Sequence, residues 1–172
     1  MTGAALDRET IAGLLRERPP LVEDYRDLVS QLQPNGFDLT LGLVESFESS
    51  GAMGVADADR RLAGTVELPF SADGRLHLPP GPYRITLNEI VSLPLDVMAL
   101  GKPRSSLLRS GVAIHNAVWD AGYHGRSQAL LVGYNPAGFM VARDARVLQL
   151  VFYRLERPLT EGYQGRFQGE NV

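Results

Sequence analysis

From Gln33 to Tyr153 the apolar residues fall in short alternating runs, and glycine and proline separate one run from the next. The runs are Phe37/Leu39/Leu41, Tyr83/Ile85/Leu87, Val112/Ile114, Ala129 to Val132, Phe139 to Val141 and Val147 to Tyr153. A period of two sends successive side chains to opposite faces, which predicts half-buried strands. Many short strands beside a single convincing helix can bury their apolar faces only as a mainly β sandwich or barrel of antiparallel strands. The helix is expected from Asp7, which can cap it, to about Arg16. Glu9 and Arg16 suit the two ends of its dipole, and Pro19-Pro20 stop it. Ile11, Leu14 and Leu15 give it one apolar face and a packing role. Ser49 to Arg61, rich in Gly, Ala and Asp, reads as a surface excursion.

No internal repeat or second domain is visible, so residues 1–172 are read as one domain. A chain of 172 residues buries roughly two-thirds of its unfolded surface, enough for one core. With 17 Lys+Arg against 20 Asp+Glu the net charge is −3. No basic run offers a track for a nucleic-acid backbone, so no nucleic-acid partner is expected. Val147 to Tyr153, interrupted by Gln149, is too short to span a bilayer, so no membrane is expected either. The absence of cysteine removes disulfides, thiolate nucleophiles and Cys-ligated zinc. The polar start from Met1 to Thr10 lacks a signal-peptide core, and a cytoplasmic location is expected.

Two segments can carry chemistry. Lys102 to Gly111 reads as a loop opening a short helical turn, with Ser105 or Ser106 near the cap and Gly111 at the left-handed end. Free backbone N–H groups, two hydroxyls and Arg104 can donate to phosphate oxygens; the alternative is simple capping with a solvated arginine. Val118 to Gly125 sets Asp120 and Tyr123 around a tight turn at Gly122. Asp120 either closes an Asx-turn or deprotonates water near the phosphate cradle. Gln149, half-buried in an apolar strand beside Val147, Val151 and Tyr153, bonds either to neighbouring backbone or to a ligand. Asp38, opposite Phe37 and Leu39, presents the same choice or is merely the wet face of its strand.

Other chemistries are poorly supported. His77, His115 and His124 lack metal-ligand spacing. Ser105, His115 and Asp120 could be written as a hydrolase triad, but Gly125-Arg126-Ser127-Gln128-Ala129 misses the nucleophile elbow at its last position. Neither a Walker A loop nor G-x-G-x-x-G occurs. The tail from Pro158, with Gly162, Gly165 and Gly169 among Tyr163, Arg166 and Phe167, is either a frayed end or a flexible arm that closes on a ligand.

In order, Asn35-Gly36-Phe37-Asp38-Leu39, Pro103-Arg104-Ser105-Ser106, Asp120-Ala121-Gly122-Tyr123-His124-Gly125, Gln149 and the Gly-rich aromatic tail resemble the five motifs of the trimeric dUTPase and dCTP deaminase superfamily. The N-terminal helix, Gln33-Pro34, Ala117 to Tyr123 and Phe167-Gln168-Gly169-Glu170 look most like its archaeal-type dUTPases. The resemblance implies a distorted β-barrel or jelly-roll subunit, a homotrimer with shared active sites, and dUTP as substrate with Mg²⁺ carried on the triphosphate. It implies that Asp120 activates the water that attacks the α-phosphorus, giving dUMP and pyrophosphate. Arg104, Ser105, Ser106, Gln149 and, from the tail, Arg166 would bind phosphate, with Asp38 supporting metal-bound waters or Arg104. Backbone groups from His115 through Asn116 and Ala117 to Val118 would pair with uracil. Tyr123 would pack under the deoxyribose and Phe167 would cover the nucleotide; Gln164, Gln168 and Glu170 are further tail contacts.

The deaminase branch needs a proton-shuttling glutamate two residues before a Tyr-Asn pair. Tyr134-Asn135 is present, but Val132 occupies that place and no glutamate lies between Glu89 and Glu156. The expected activity is therefore dUTP diphosphatase. Deaminase or bifunctional chemistry and a non-catalytic dUTP-sensing trimer are the alternatives.

Overall fold

The computed structural model describes residues 4–172. It contains three α-helices, α1 (Arg8–Leu14), α2 (Leu28–Gln31) and α3 (Ser105–Arg109). The first strands are β1 (Val22–Glu23), β2 (Leu32–Gln33), β3 (Gly36–Phe47), β4 (Thr65–Glu67), β5 (Arg75–Leu78) and β6 (Gly81–Ser92). They are followed by β7 (Val97–Pro103), β8 (Val112–His115), β9 (His124–Gly133), β10 (Phe139–Ala142) and β11 (Arg146–Arg154).

The main sheet runs β7-β11-β3-β6-β9-β8, with β1 paired to β6 and both β2 and β4 to β3; β5 and β10 form a separate ribbon. Every pairing between these strands is antiparallel. Ala99 on β7 exchanges both backbone bonds with Trp119, just beyond β8, at 2.9 and 3.1 Å. That exchange brings the two ends of the sheet together, and register shifts in the β3–β6, β6–β9 and β11–β3 pairs supply the bends. The fold is thus the expected mainly β, distorted barrel. Phe37, Leu39 and Leu41 from β3 meet Ile85, Leu87, Leu131, Leu148, Leu150 and Phe152 inside, all fully buried. Burial of each such side chain stabilises the barrel by about 1.5–3 kcal/mol.

Local chemistry explains where the elements depart from expectation. Asp7 caps α1 by accepting from Thr10 N at 2.8 Å. The helix ends at Leu14 because Arg16 N and Glu17 N bond three residues back, to Gly13 and Leu14, and tighten the last turn. On β11, the bulge between Arg146 and Leu148 breaks strict alternation, so Val147 and Leu148 are both buried while Gln149 is half-buried. Residues 49–61 are largely exposed, as an excursion should be.

Asp38 is not on a wet face: it is fully buried, and so is β3 from Gly36 to Leu41. A polar cluster fixes this end of the strand. The Glu89 carboxylate, also fully buried, accepts from Thr40 N at 2.8 Å, Thr40 Oγ1 at 2.6 Å and Gln31 Nε2 at 2.8 Å. The same Gln31 Nε2 donates to the Asp38 carbonyl at 2.8 Å, while Gln31 Oε1 accepts from Arg26 N and Asp27 N. Burial raises the Glu89 carboxyl above the ordinary glutamate range despite these donors.

Candidate active site

Asp120 opens a four-residue turn closed by Tyr123 N donating to the Asp120 carbonyl at 3.0 Å. Gly122 has φ 84° while Ala121 has no positive φ, the combination of a type II turn. An Asx-turn would engage the Asp120 carboxylate. Instead that carboxylate is exposed and has no hydrogen-bond partner among the described residues. It lines a cavity of about 490 Å³ together with Ala117, Val118, Tyr123, Phe167 and Glu170, six of the residues expected at the site. His115 and Asn116 line a shallower groove that shares Ala117 with this cavity. The backbone groups of Asn116, Ala117 and Val118 have no partner among the described residues, so their N–H and C=O groups remain available to a base edge.

Tyr123 stands at the back of the cavity. Trp119 Nε1 donates to Ser127 Oγ at 2.5 Å, Ser127 Oγ lies 3.0 Å from Tyr123 Oη, and Tyr123 donates to Glu170 Oε1 at 2.8 Å. Because indole can only donate and a carboxylate can only accept, Ser127 donates to Tyr123 and the chain runs one way. Burial raises the Tyr123 hydroxyl above its ordinary value and keeps it protonated; burial likewise raises the Glu170 carboxyl.

The tail lies on its own chain. Gln168 accepts from His124 N and donates to the Gly122 carbonyl, both at 3.0 Å; Gly169 N, Arg126 N and Asn171 Nδ2 add backbone-directed bonds of 2.7, 2.9 and 2.9 Å. Tyr163 N donates to the Ala121 carbonyl at 2.9 Å, and its ring meets Tyr123 edge-on with centroids 5.9 Å apart. A Cβ on Gly122 would lie 2.9 Å from Tyr163 N, so this glycine serves both the turn and the tail. Gln164 and Arg166 are exposed and line no part of the cavity.

The other expected residues gather elsewhere. Asp38 forms ion pairs with Arg104 and, at 3.3 Å, Arg146, while its Oδ1 is buried without a partner. Gln149 is the cross-strand partner of both Asp38 and Lys102. The cluster thus gathers two arginines against one carboxylate. Burial lowers the Arg104 guanidinium from its ordinary value, and Arg146 beside it adds to the shift. Arg104 itself occupies the N-cap of α3 and makes no side-chain capping bond; Ser105 and Ser106 are inside the helix. Neither serine hydroxyl and no atom of the Gln149 amide has a hydrogen-bond partner among the described residues, which disfavours capping and backbone bonding as their roles. Gly111, φ 73°, ends the turn in the left-handed conformation as expected. None of Asp38, Arg104, Ser105, Ser106 or Gln149 lines the Asp120 cavity.

Among the described residues no three His, Cys, Asp or Glu converge on a metal position. No described helix is long and apolar enough to cross a membrane. Val132, singled out from its spacing to Tyr134, lines neither cavity; the β9 residues that do are Ser127, Gln128, Ala129 and Leu130, with no acid among them. Sequence reasoning missed Gln128, Arg84 and Phe47, which line both depressions, because their strands are remote in the chain and only register unites them.

A barrel with a turn-borne carboxylate, a buried tyrosine and a separate cationic cluster defines a class. Residues 5–155 match the family described as dCTP deaminase-like, and the chain belongs to that family. A Methanosarcina mazei protein named probable deoxyuridine 5'-triphosphate nucleotidohydrolase is 45% identical over 169 residues, 98% of this chain and 99% of that one. An Archaeoglobus fulgidus protein of the same name is 43% identical over 169 residues, 98% of each chain. The crystal structure of 2'-deoxycytidine 5'-triphosphate deaminase from Agrobacterium tumefaciens superimposes with a TM-score of 0.66 at 27% identity, covering 90% of this chain and 49% of that longer one.

Proposed function

We propose that this protein hydrolyses dUTP to dUMP and pyrophosphate in the cytoplasm, with Asp120 as the base that activates water for attack at the α-phosphorus. The observation that carries the reading is the unpartnered Asp120 carboxylate on the wall of a nucleoside-sized cavity. Tyr123, held by Ser127 and Glu170, excludes a 2′-hydroxyl from the sugar position, and the open backbone groups of Asn116 to Val118 pair with uracil. Arg104, Ser105, Ser106 and Gln149 bind phosphate oxygens, and Asp38 orients Arg104. Phe167 covers the nucleotide, and Arg166 adds a phosphate contact from the tail.

Mg²⁺ enters as part of the substrate, neutralising charge on the triphosphate; among the described residues no side chains build a metal cage, and the orphaned Asp38 Oδ1 is the nearest fit for a water-mediated contact. The separation of the Asp120 cavity from the Arg104 cluster supports a homotrimer in which one subunit's cavity meets another's phosphate-binding residues. The relatives' names support dUTP as substrate.

The test is to incubate the protein with dUTP and Mg²⁺ and to resolve products chromatographically. Wild type yields dUMP and pyrophosphate, and Asp120→Asn binds nucleotide but loses most of the rate. Undiminished turnover by Asp120→Asn removes Asp120 as the base, and ammonia released from dCTP replaces this reading with a deaminase.

A further inference from the structure

One face of the sheet carries an ion pair, Glu45 with Arg84, that the proposed reaction leaves unused. Glu45 on β3, Arg84 on β6, Leu130 on β9 and His115 on β8 are successive cross-strand partners. Directly opposed residues project from the same face, so this row runs beneath both the Asp120 cavity and the adjoining groove. Arg84 donates Nε to Glu45 Oε2 at 2.7 Å and Nη2 to Glu45 Oε1 at 2.6 Å, and Nη2 also reaches Thr65 Oγ1. That bidentate hold fixes the guanidinium plane. Among the described residues Nη1 has no partner, and the Arg84 side chain keeps 27% of its surface exposed. Arg84 lines both depressions, with Ala117 and Gln128 beside it in each.

We propose that Arg84 discriminates between pyrimidine bases, its free Nη1 edge donating to a ring carbonyl that uracil has and cytosine lacks. The inference rests on the dUTP reading and adds a side chain to the backbone contacts given there. Uracil carries oxygen at positions 2 and 4, whereas cytosine replaces the 4-oxygen with an amino group. A guanidinium has donors only. Facing the amino group it leaves two donors opposed and both stripped of water, which penalises cytosine more strongly than any loss of shape fit. Glu45 completes the device: the Arg84 bond holds its carboxyl below the ordinary glutamate range, so the clamp stays charged. The pair joins a buried carboxylate to a guanidinium that keeps 27% of its surface open, and it is Arg84, not Glu45, that forms the wall of the two depressions.

The experiment compares wild type with Arg84→Met and Arg84→Lys, using dUMP and dCMP binding by titration calorimetry and kcat/KM for dUTP and dCTP. Arg84→Met is expected to lower dUMP affinity about 10- to 100-fold and to raise dCMP affinity, with the dUTP/dCTP ratio falling in parallel. Arg84→Lys, which keeps the charge and loses the planar fork, falls between and decides the matter if Arg84→Met does not fold. Equal losses for both bases, or no loss for either, overturn the proposal. A variant with altered assembly on size exclusion but intact discrimination overturns it too and assigns the pair to packing. Should wild type bind dUMP over dCMP without hydrolysing dUTP, the catalytic reading fails while the binding comparison still decides Arg84.

Discussion

Tyr123 and Glu170, 47 residues apart, meet through a 2.8 Å hydrogen bond that ties the end of the chain to the Asp120 turn. Burial raises the Glu170 carboxyl, and the tyrosine bond only partly offsets this. A carboxyl whose pKa is higher when docked favours docking below its undocked value and loses that contribution as pH rises through the docked one. Trp119, the single tryptophan, sits at the far end of the same chain of bonds. Its fluorescence is expected to titrate with a midpoint above 4.5, the ordinary glutamate value, and Glu170→Gln should abolish that transition. A wild-type midpoint at or below the ordinary value would refute the coupling.

Asp38→Asn should cost about 2–3 kcal/mol in urea denaturation. The substitution leaves Arg104 and Arg146 facing each other without the carboxylate that separates them. The magnitude is set toward the low end because both arginines are about a third exposed, 30% and 36%. Phosphate affinity should fall with it, raising KM for dUTP. A stability change within experimental error would mean that the carboxylate is not needed to hold the pair.

These residues also show what a sequence can and cannot disclose. Asp7, Gly111 and Gly122 act through neighbours a few residues away, so their roles were readable from local pattern. Asp38 alternates like a solvent-facing residue, and nothing local reveals that Arg104 and Arg146 fold over it. Arg84 and Glu45 are 39 residues apart, and Glu89 meets Gln31 across 58; such pairs are set by strand register, which period-two alternation leaves open. The tail motif signalled contact with a ligand, while its bonds to His124 and Arg126 required coordinates.

Glu89→Gln tests the cluster behind Asp38. Three donors converge on the carboxylate, and an amide must turn its NH₂ toward at least one of them, for an expected loss of about 1–3 kcal/mol. Because burial raises the folded pKa, the wild-type contribution is full below the ordinary glutamate range and declines as pH rises through the folded value. The stability gap between wild type and variant should therefore narrow with increasing pH. A gap that widens would reverse the assignment.

Gly122→Ala places a side chain where φ is 84° and where Gly162 Cα would be 2.5 Å away. The backbone strain alone is about 1–2 kcal/mol. Relief comes most easily by displacing residues 162–163, so limited proteolysis within the tail should accelerate while the barrel remains resistant. Unchanged cleavage would indicate that the turn, rather than the tail, yields.

The parallel contact between Glu170 and Gly125 has a protective consequence. β9 is covered by β6 on one side along residues 124–126, but β8 reaches only residues 130–133 on the other. The last few residues cover the 124–126 part of that gap, with Gly169, Glu170 and Asn171 satisfying His124 and Arg126. Without them the lower part of β9 becomes a bare strand edge, a template on which another extended chain can pair. The terminus thus shields this edge of the barrel from strand-to-strand pairing as well as standing beside its cavity.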